Sequence, residues 1–567
     1  MALRGPSRSP RERRTLLWRR VIRAVLITAA GLLLVLTALR RWTELPAPDD
    51  EGRATGAGRL RSELTPSGVR VVVEGGWGEQ HEGVWRLHLA GDPWTLGRAH
   101  GQLVAPWLGA FDRELARGRN GPERGALGRW WGDQRLRWQL RGLAQAVPAP
   151  QLLEMAALAA EIVETEPLPA TPFQRLVSYH ALPELALQRA PLGGEAWRCL
   201  AAAGWRAGTA DGRVVVGYAI DPGAAQALQR RVVLVVRPRA ALPFVALGWA
   251  GGTGVPVGVN ARRVLVAGCP AQTDEGLQSG IPLLPLVREL LEHASSLGEA
   301  LRLVQRQPRM GASSLLVADG KTGEVAVIES SPGRVVLRAD ARQLIGAVNH
   351  LQDEKFEGDA SNDRVRRYTT SEARGRRLTE LLRRGAGRFD AAFALRVLRD
   401  RAAVEGGALA PGHPRALDGL GFSSAVVVDL RELVLWTAQG PLLAGPFTAI
   451  DLKPIFGLPV MAGQLAHPLA ADATLGAAEL LRWRLAREEL ARAQELAQAG
   501  AWAAAAAMAE RVEQLAPGLP QAQILAADAL WAAGQVEAAR RHYRALLASD
   551  PPFLADVERA RSRLAED

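Results

Sequence analysis

The stretch Trp197-Arg198-Cys199-Leu200-Ala201-Ala202-Ala203-Gly204-Trp205, followed by Thr209-Ala210-Asp211-Gly212-Arg213-Val214-Val215-Val216-Gly217-Tyr218-Ala219-Ile220-Asp221, decides how the chain reads. Small and apolar residues make the first run a strand, Asp211-Gly212 supplies a hairpin turn, and the return strand ends on an acid. Cys199 stands at the head of the first strand, where an N-terminal nucleophile would sit.

Further along, Gly258-Val259-Asn260, Val348-Asn349-His350 and Ser371-Glu372-Ala373-Arg374 follow in order. The spacing from Cys199 through Asp211-Gly212-Arg213 to Gly217 and Asp221, with these later motifs, resembles the acyl-CoA:isopenicillin N acyltransferase family of N-terminal-nucleophile hydrolases, relatives of the bile salt and penicillin V hydrolases. The run Gly91-Asp92-Pro93-Trp94 to His100-Gly101-Gln102-Leu103 resembles the opening of the family's pro-region, and Gly440-Pro441 through Asp451-Leu452 its closing segment.

The resemblance implies a fold and a chemistry. The fold is α+β, a four-layer αββα sandwich preceded by a helical pro-region. The chain cuts itself between Arg198 and Cys199, and the exposed thiol then attacks an acyl carbon. An unperturbed α-amine near 7.7–8.0 can take the thiol proton without help from a histidine. Asp221 would hold the new ammonium, Asn260 and Asn349 would donate to the oxyanion, and Arg374 would stabilise charge near the thiol or bind an acidic substrate group. Losing one oxyanion donor costs about two to three decades of rate.

The chain departs from the family's pattern in places. Tyr218-Ala219 stand where the family has Arg-Asn, which removes a cation expected beside the thiol. Leu200 and Ala201 replace small hydroxyl residues, and Arg198 stands where Gly is common. The alternative function is therefore a catalytically inactive fold of this type that binds a ligand or a protein partner. Cys269 reads as a small apolar residue at the end of a buried strand, and one bridge to Cys199 is open to an exported domain. A papain-like Cys199–His350 pair rests on composition alone, and no G-x-S-x-G occurs.

The 567 residues exceed one ordinary domain, and 48% hydrophobic content supplies a large core. The formal charge of +11 is concentrated at the start: residues 1–41 carry ten arginines against Glu12, leaving +2 for the rest. No basic face for nucleic acid follows from that distribution. Neither CxxC nor HExxH occurs, so no metal or other cofactor is expected.

Residues 1–20 read as a basic cytoplasmic segment and 21–39 as a transmembrane anchor whose 19 residues rise about 28 Å. The arginines before it place the bulk of the chain outside the inner membrane, on the periplasmic side, by the positive-inside bias. A cleaved signal peptide is the rival reading. Residues 40–66 read as a linker.

Residues 67–198 are the mostly helical pro-region, opening with paired strands over 69–89. The small residues of the Gly97–Gly101 run suit close helix packing, His100 reads as structural, and Trp107, Trp130, Trp131 and Trp138 as core. Pro191–Glu195 is a loop leading to Cys199.

The catalytic domain is expected over 199–465. Its strands fall at 231–236, 244–248, 258–267, 313–319, 324–329, 334–338, 423–429 and 433–438, and its helices at 283–293 and 296–306. Residues 475–567 turn to helix, with Gly500 and Gly534, Ala505 and Ala539, Pro517 and Pro551 each 34 apart. That period resembles tetratricopeptide repeats, a surface for a protein partner. The substrate would be a small molecule with an acyl–nitrogen bond.

Overall fold

The computed structural model describes residues 10–45, 47–48, 60–65, 68–118, 131, 134, 137–138, 140–164, 170–189, 197–223, 230–409, 412–419, 424–438, 443–460, 466–549 and 551–566. The loop over 191–195, the break beyond Gly118, Trp130 and Gly440-Pro441 lie outside these residues.

Two sheets form the centre. The larger has eleven strands, in the order β1 (Arg61–Thr65), β2 (Gly68–Val73), β3 (Gly76–His81), β4 (Val84–Gly91), β7 (Arg231–Pro238), β8 (Phe244–Trp249), β9 (Val257–Asn260), β10 (Val264–Ala271), β11 (Ala312–Asp319), β12 (Glu324–Ser330) and β13 (Val335–Arg338). The smaller has six: β14 (Leu344–Ala347), β5 (Arg198–Arg206), β6 (Gly212–Asp221), β15 (Ser424–Asp429), β16 (Val434–Ala438) and β17 (Phe447–Asp451). Pairing is antiparallel except where β4 runs parallel to β7, with Trp85 opposite Val232 through Gly91 opposite Pro238.

Period-two alternation explains why β5 lies between two cores. Cys199, Ala201 and Ala203 face the eleven-stranded sheet, in one core with Val266 and Val317. Leu200 and Ala202 face the other way, with Leu378, Phe389 and Leu395. Those three belong to the stretch containing the helices Ser371–Arg384 and Ala391–Leu398, which pack on the outer side of the six-stranded sheet. Gly204 is required there, since a Cβ would lie 2.7 Å from the Phe389 ring. On the outer side of the larger sheet lie the helices Leu283–His293 and Leu297–Arg306, the second capped by Ser296, which accepts from the Glu299 amide.

The segment before Cys199 is built into this body. Strands β2–β4 extend the larger sheet, and helix Pro93–Leu103 packs on helix Ala149–Ala159. Gly97 sits so close that a Cβ would lie 2.1 Å from the Glu154 carbonyl oxygen. Glu154 in turn accepts from Arg288 at 2.8 Å, and Arg288 also donates to Glu292 at 2.9 Å, all three buried.

Three expectations change. The single strand over 258–267 is two, because the Asn260 side-chain oxygen accepts from the amides of Arg262 and Val264 and turns the chain between them. Trp131 and Trp138 are 63% and 41% exposed; Trp138 packs edge-on against Trp42 at 4.8 Å instead of entering the core. The apolar N-terminal helix extends beyond 21–39, running from Pro10 to Trp42, and its span Trp18–Trp42 is long and apolar enough to cross a membrane. Strands β2–β4, in the stretch where paired strands were expected, belong to the larger sheet.

The C-terminal part holds helices Ala477–Gln498, Trp502–Leu515, Pro520–Ala532, Val536–Ala548 and Leu554–Ala565, each packed on the next. Gly500 and Gly534 adopt φ of +76° and +77° just past helix ends, the left-handed stop that glycine makes without strain.

Candidate functional site

The site forms where the two sheets come closest. Cys199 in β5 is joined to Cys269 in β10 by a disulfide that spans 70 residues of sequence, with the Cα atoms 5.5 Å apart. Packed sheets normally lie about 10 Å apart, so this is a local pinch. Both cysteines are fully buried. The reading of Cys269 as a simple apolar residue is corrected by this bond.

Three polar residues converge on the same point. The Cys199 amide donates to Asn349 Oδ1 at 2.8 Å. Arg374, fully buried, donates to the Cys199 carbonyl at 2.9 Å, to Asn349 Oδ1 at 3.0 Å and to Thr370 Oγ1 at 3.2 Å. Asn349 Nδ2 donates to the carbonyls of Trp197 at 2.8 Å and Pro270 at 3.1 Å. Asn349 thus binds the backbone on both sides of the Arg198–Cys199 bond. Just ahead of that bond Trp197 adopts φ of +57°, a left-handed conformation that is uncommon for a bulky residue.

Tyr218 occupies the place of the missing cation. Its hydroxyl donates to the Gly268 carbonyl at 2.8 Å, the same oxygen that lies 3.6 Å from Cys199 Sγ. Burial pushes its pKa well above the usual value, so the group beside the sulfur is a neutral phenol. Asp221 ends β6 opposite Arg198, one ladder position from Cys199, which pairs with Ile220. Its Oδ1 accepts from the Gly223 amide at 2.9 Å, and the charge of Arg487, from helix Ala477–Gln498, reaches it.

Asn260 is not part of this group. Its Nδ2 donates to the carbonyls of Leu291 and Ala294 at 2.9 and 2.7 Å, and its oxygen holds the β9–β10 turn. That turn meets β10 at Val264, five residues and about 17 Å of strand from Cys269. The expected oxyanion role is corrected: all of this carboxamide's capacity serves the turn and the end of a helix.

His350 does not face Cys199. Its Nδ1 shares a hydrogen bond with Ser371 Oγ at 2.8 Å, and its Nε2 lies 3.5 Å from Glu372. Burial lowers its pKa to about 4 against the opposing pull of Glu372, so the ring is neutral at pH 7. Sequence reasoning singled out Ser371 only as part of the Ser-x-x-Arg motif, and nothing in the sequence pairs it with His350. His100 is structural as expected, accepting from the Gly251 amide at 3.3 Å.

A strand-head cysteine, an Asn and an Arg bound to its backbone, and an acid one rung away thus gather between the two sheets of an α+β fold. Residues 214–405 match the sequence model of the acyl-coenzyme A:6-aminopenicillanic acid acyl-transferase family, about a third of the chain. The match takes in Asp221, Asn260, Asn349 and Arg374 and begins beyond Cys199.

Among solved structures, the chain is similar to a Caenorhabditis elegans ortholog of N-acylethanolamine-hydrolyzing acid amidase, at 18% identity, covering 41% of this chain and 93% of that one, with a TM-score of 0.29. It is also similar to a mutant of conjugated bile acid hydrolase from Clostridium perfringens, at 11% identity, covering 49% and 100%, with a TM-score of 0.28. Scores of this size place no residue of one chain on a residue of another. Comparison with curated proteins finds no match.

Proposed function

We propose that the chain is a self-processing N-terminal-cysteine amidohydrolase or acyltransferase, acting on an acyl–nitrogen bond through a thioester on Cys199. The observation that carries this reading is the double grip on Cys199, its amide on Asn349 and its carbonyl on Arg374. Those hydrogen bonds fix the strand head whose nitrogen becomes the α-amine after cleavage.

Attack of the Cys199 thiolate on the Arg198 carbonyl carbon breaks the C–N bond and gives a thioester, and the new amine takes up a proton. Water then opens the thioester, leaving a carboxylate on Arg198 and a thiol on Cys199. Cleavage also frees the chain end that carries Trp197, releasing one of the two carbonyls that occupy Asn349 Nδ2. That donor becomes available to the oxyanion of a substrate's tetrahedral intermediate. Asp221 holds the ammonium form, and the free amine takes the thiol proton.

In this reading the two sheets and their outer helices are the αββα sandwich, the helix through Trp42 is an inner-membrane anchor with the bulk periplasmic, and the C-terminal helices are tetratricopeptide-like repeats that bind a protein. Intact-mass analysis of the purified chain tests the central step. Two fragments, 1–198 and 199–567, are expected, and Cys199→Ala should leave one uncut chain. A second reading, a binding protein that has lost catalysis, is favoured by the neutral Tyr218 hydroxyl at the sulfur. A reduced chain that neither cuts nor accepts a thiol-directed acylating probe would select it.

A further inference from the structure

Cys269 sits in a three-residue segment that is wholly committed to the site. The Gly268 carbonyl accepts from Tyr218 at 2.8 Å, the Pro270 carbonyl accepts from Asn349 at 3.1 Å, and the sulfur between them is bonded to Cys199. Consecutive residues of β10 therefore occupy the phenol at the sulfur, the Asn that brackets the Arg198–Cys199 bond, and the sulfur itself. Cys199 and Cys269 are the only two cysteines in the sequence, so Cys199 has no other thiol in it with which to exchange.

A disulfide sulfur has no thiolate to offer a carbonyl carbon. In the bridged form described here, Cys199 cannot begin its own release, although the backbone on both sides of the bond is already held. We infer that thiol–disulfide exchange precedes self-cleavage: Cys269 keeps Cys199 oxidised in the uncut chain, and an external dithiol reductant must free it. This rests on the proposed self-processing function.

The exchange balances as follows. One thiolate of the dithiol attacks Cys269 Sγ, and the electron pair of the S–S bond leaves on Cys199 Sγ. The second thiol of the reductant attacks the mixed disulfide and releases Cys269, which takes up a proton. Two electrons pass to the bridge, one of the dithiol's two protons goes to Cys269 and the other to solvent, and the reductant closes to its own disulfide. Cys199, now a thiolate, then makes the attack on Arg198 set out above. Because both sulfurs are buried, the exchange also requires the strand ends to part.

The test uses the full chain, purified in detergent with free thiols blocked during lysis, then incubated with and without dithiothreitol. Wild type should stay uncut and two hydrogens lighter than its reduced form, and should cut at Arg198–Cys199 once reduced. Cys269→Ala and Cys269→Ser, each checked for a native circular dichroism spectrum, should cut without reductant.

Wild type that is already cut while its bridge is intact would overturn the order of events and leave self-processing standing. Cys269 variants that fold but still need dithiothreitol would overturn the role of Cys269 alone. Reduced wild type and both variants remaining uncut would overturn this inference together with the function it rests on.

Discussion

Arg374 offers the sharpest test of how the site is held. Its guanidinium is fully buried and, among the described residues, donates hydrogen bonds to the Cys199 carbonyl, Asn349 Oδ1 and Thr370 Oγ1. Hydrogen bonds from a charged donor are worth about 1.5–3 kcal/mol each, so counted singly the three reach about 5–9 kcal/mol. They share one side chain and relax together, so the expected cost of Arg374→Ala is about 3–5 kcal/mol, less than that sum. At an m-value of about 3 kcal/mol/M, the urea midpoint should fall by about 1–1.7 M.

Cleavage of the reduced chain should slow as well, since Asn349 loses the donor that orients its oxygen toward the Cys199 amide. Arg374→Lys keeps the charge but cannot reproduce the two-armed contact, and should recover only part of both losses. An Arg374→Ala chain with an unchanged midpoint and an unchanged cleavage rate would refute this account of the site.

Asn349→Asp keeps the shape but replaces the donor facing Trp197 and Pro270 with an acceptor; cleavage of the reduced chain, followed by gel, should fall about 100- to 1,000-fold. Asn260→Ala should destabilise the fold by about 2–4 kcal/mol in urea, through the turn and helix-end groups it leaves unpaired, while cleavage of the folded fraction keeps its rate. Glu184 is buried, accepts from the Leu283 amide at 2.5 Å, and has its pKa raised by burial from 4.5 to about 7. The folded state therefore binds more protons than the unfolded state between those values, so stability should fall by roughly 3 kcal/mol as pH rises from 4.5 to 7 and then level off. Glu184→Gln, unfolded in urea at pH 5 and pH 8, should show a much smaller difference between the two.

Much of the fold was legible because burial imposes periodicity. Helix 283–293 was read to the residue, and most strands of the two sheets to within one or two residues, since each is an apolar run closed by turn residues. The 258–267 stretch was misread because nothing in its hydropathy shows that an Asn side chain will tie two amides and break the strand. At the site, Cys199, Asn349 and Arg374 come together from positions up to 175 residues apart, in the order the motifs gave. Asn260 matched a motif, yet its carboxamide was claimed by a helix end that only the tertiary fold brings near. The bond between the two cysteines was open in the sequence and needed the pinch between the sheets to decide it. Trp131 and Trp138 show the limit of composition: a large aromatic residue is buried only if the neighbouring surface reaches it.

The parallel pairing of β4 with β7 bears on what scission at Arg198–Cys199 could accomplish. Seven ladder positions and the buried Glu154–Arg288 contact straddle the two would-be pieces, while both sulfurs belong to the second. A nick at that bond would open a chain end without setting either piece adrift. If the apolar helix resides in a bilayer, the trailing piece stays moored to it by noncovalent contacts alone, and no soluble piece would be shed.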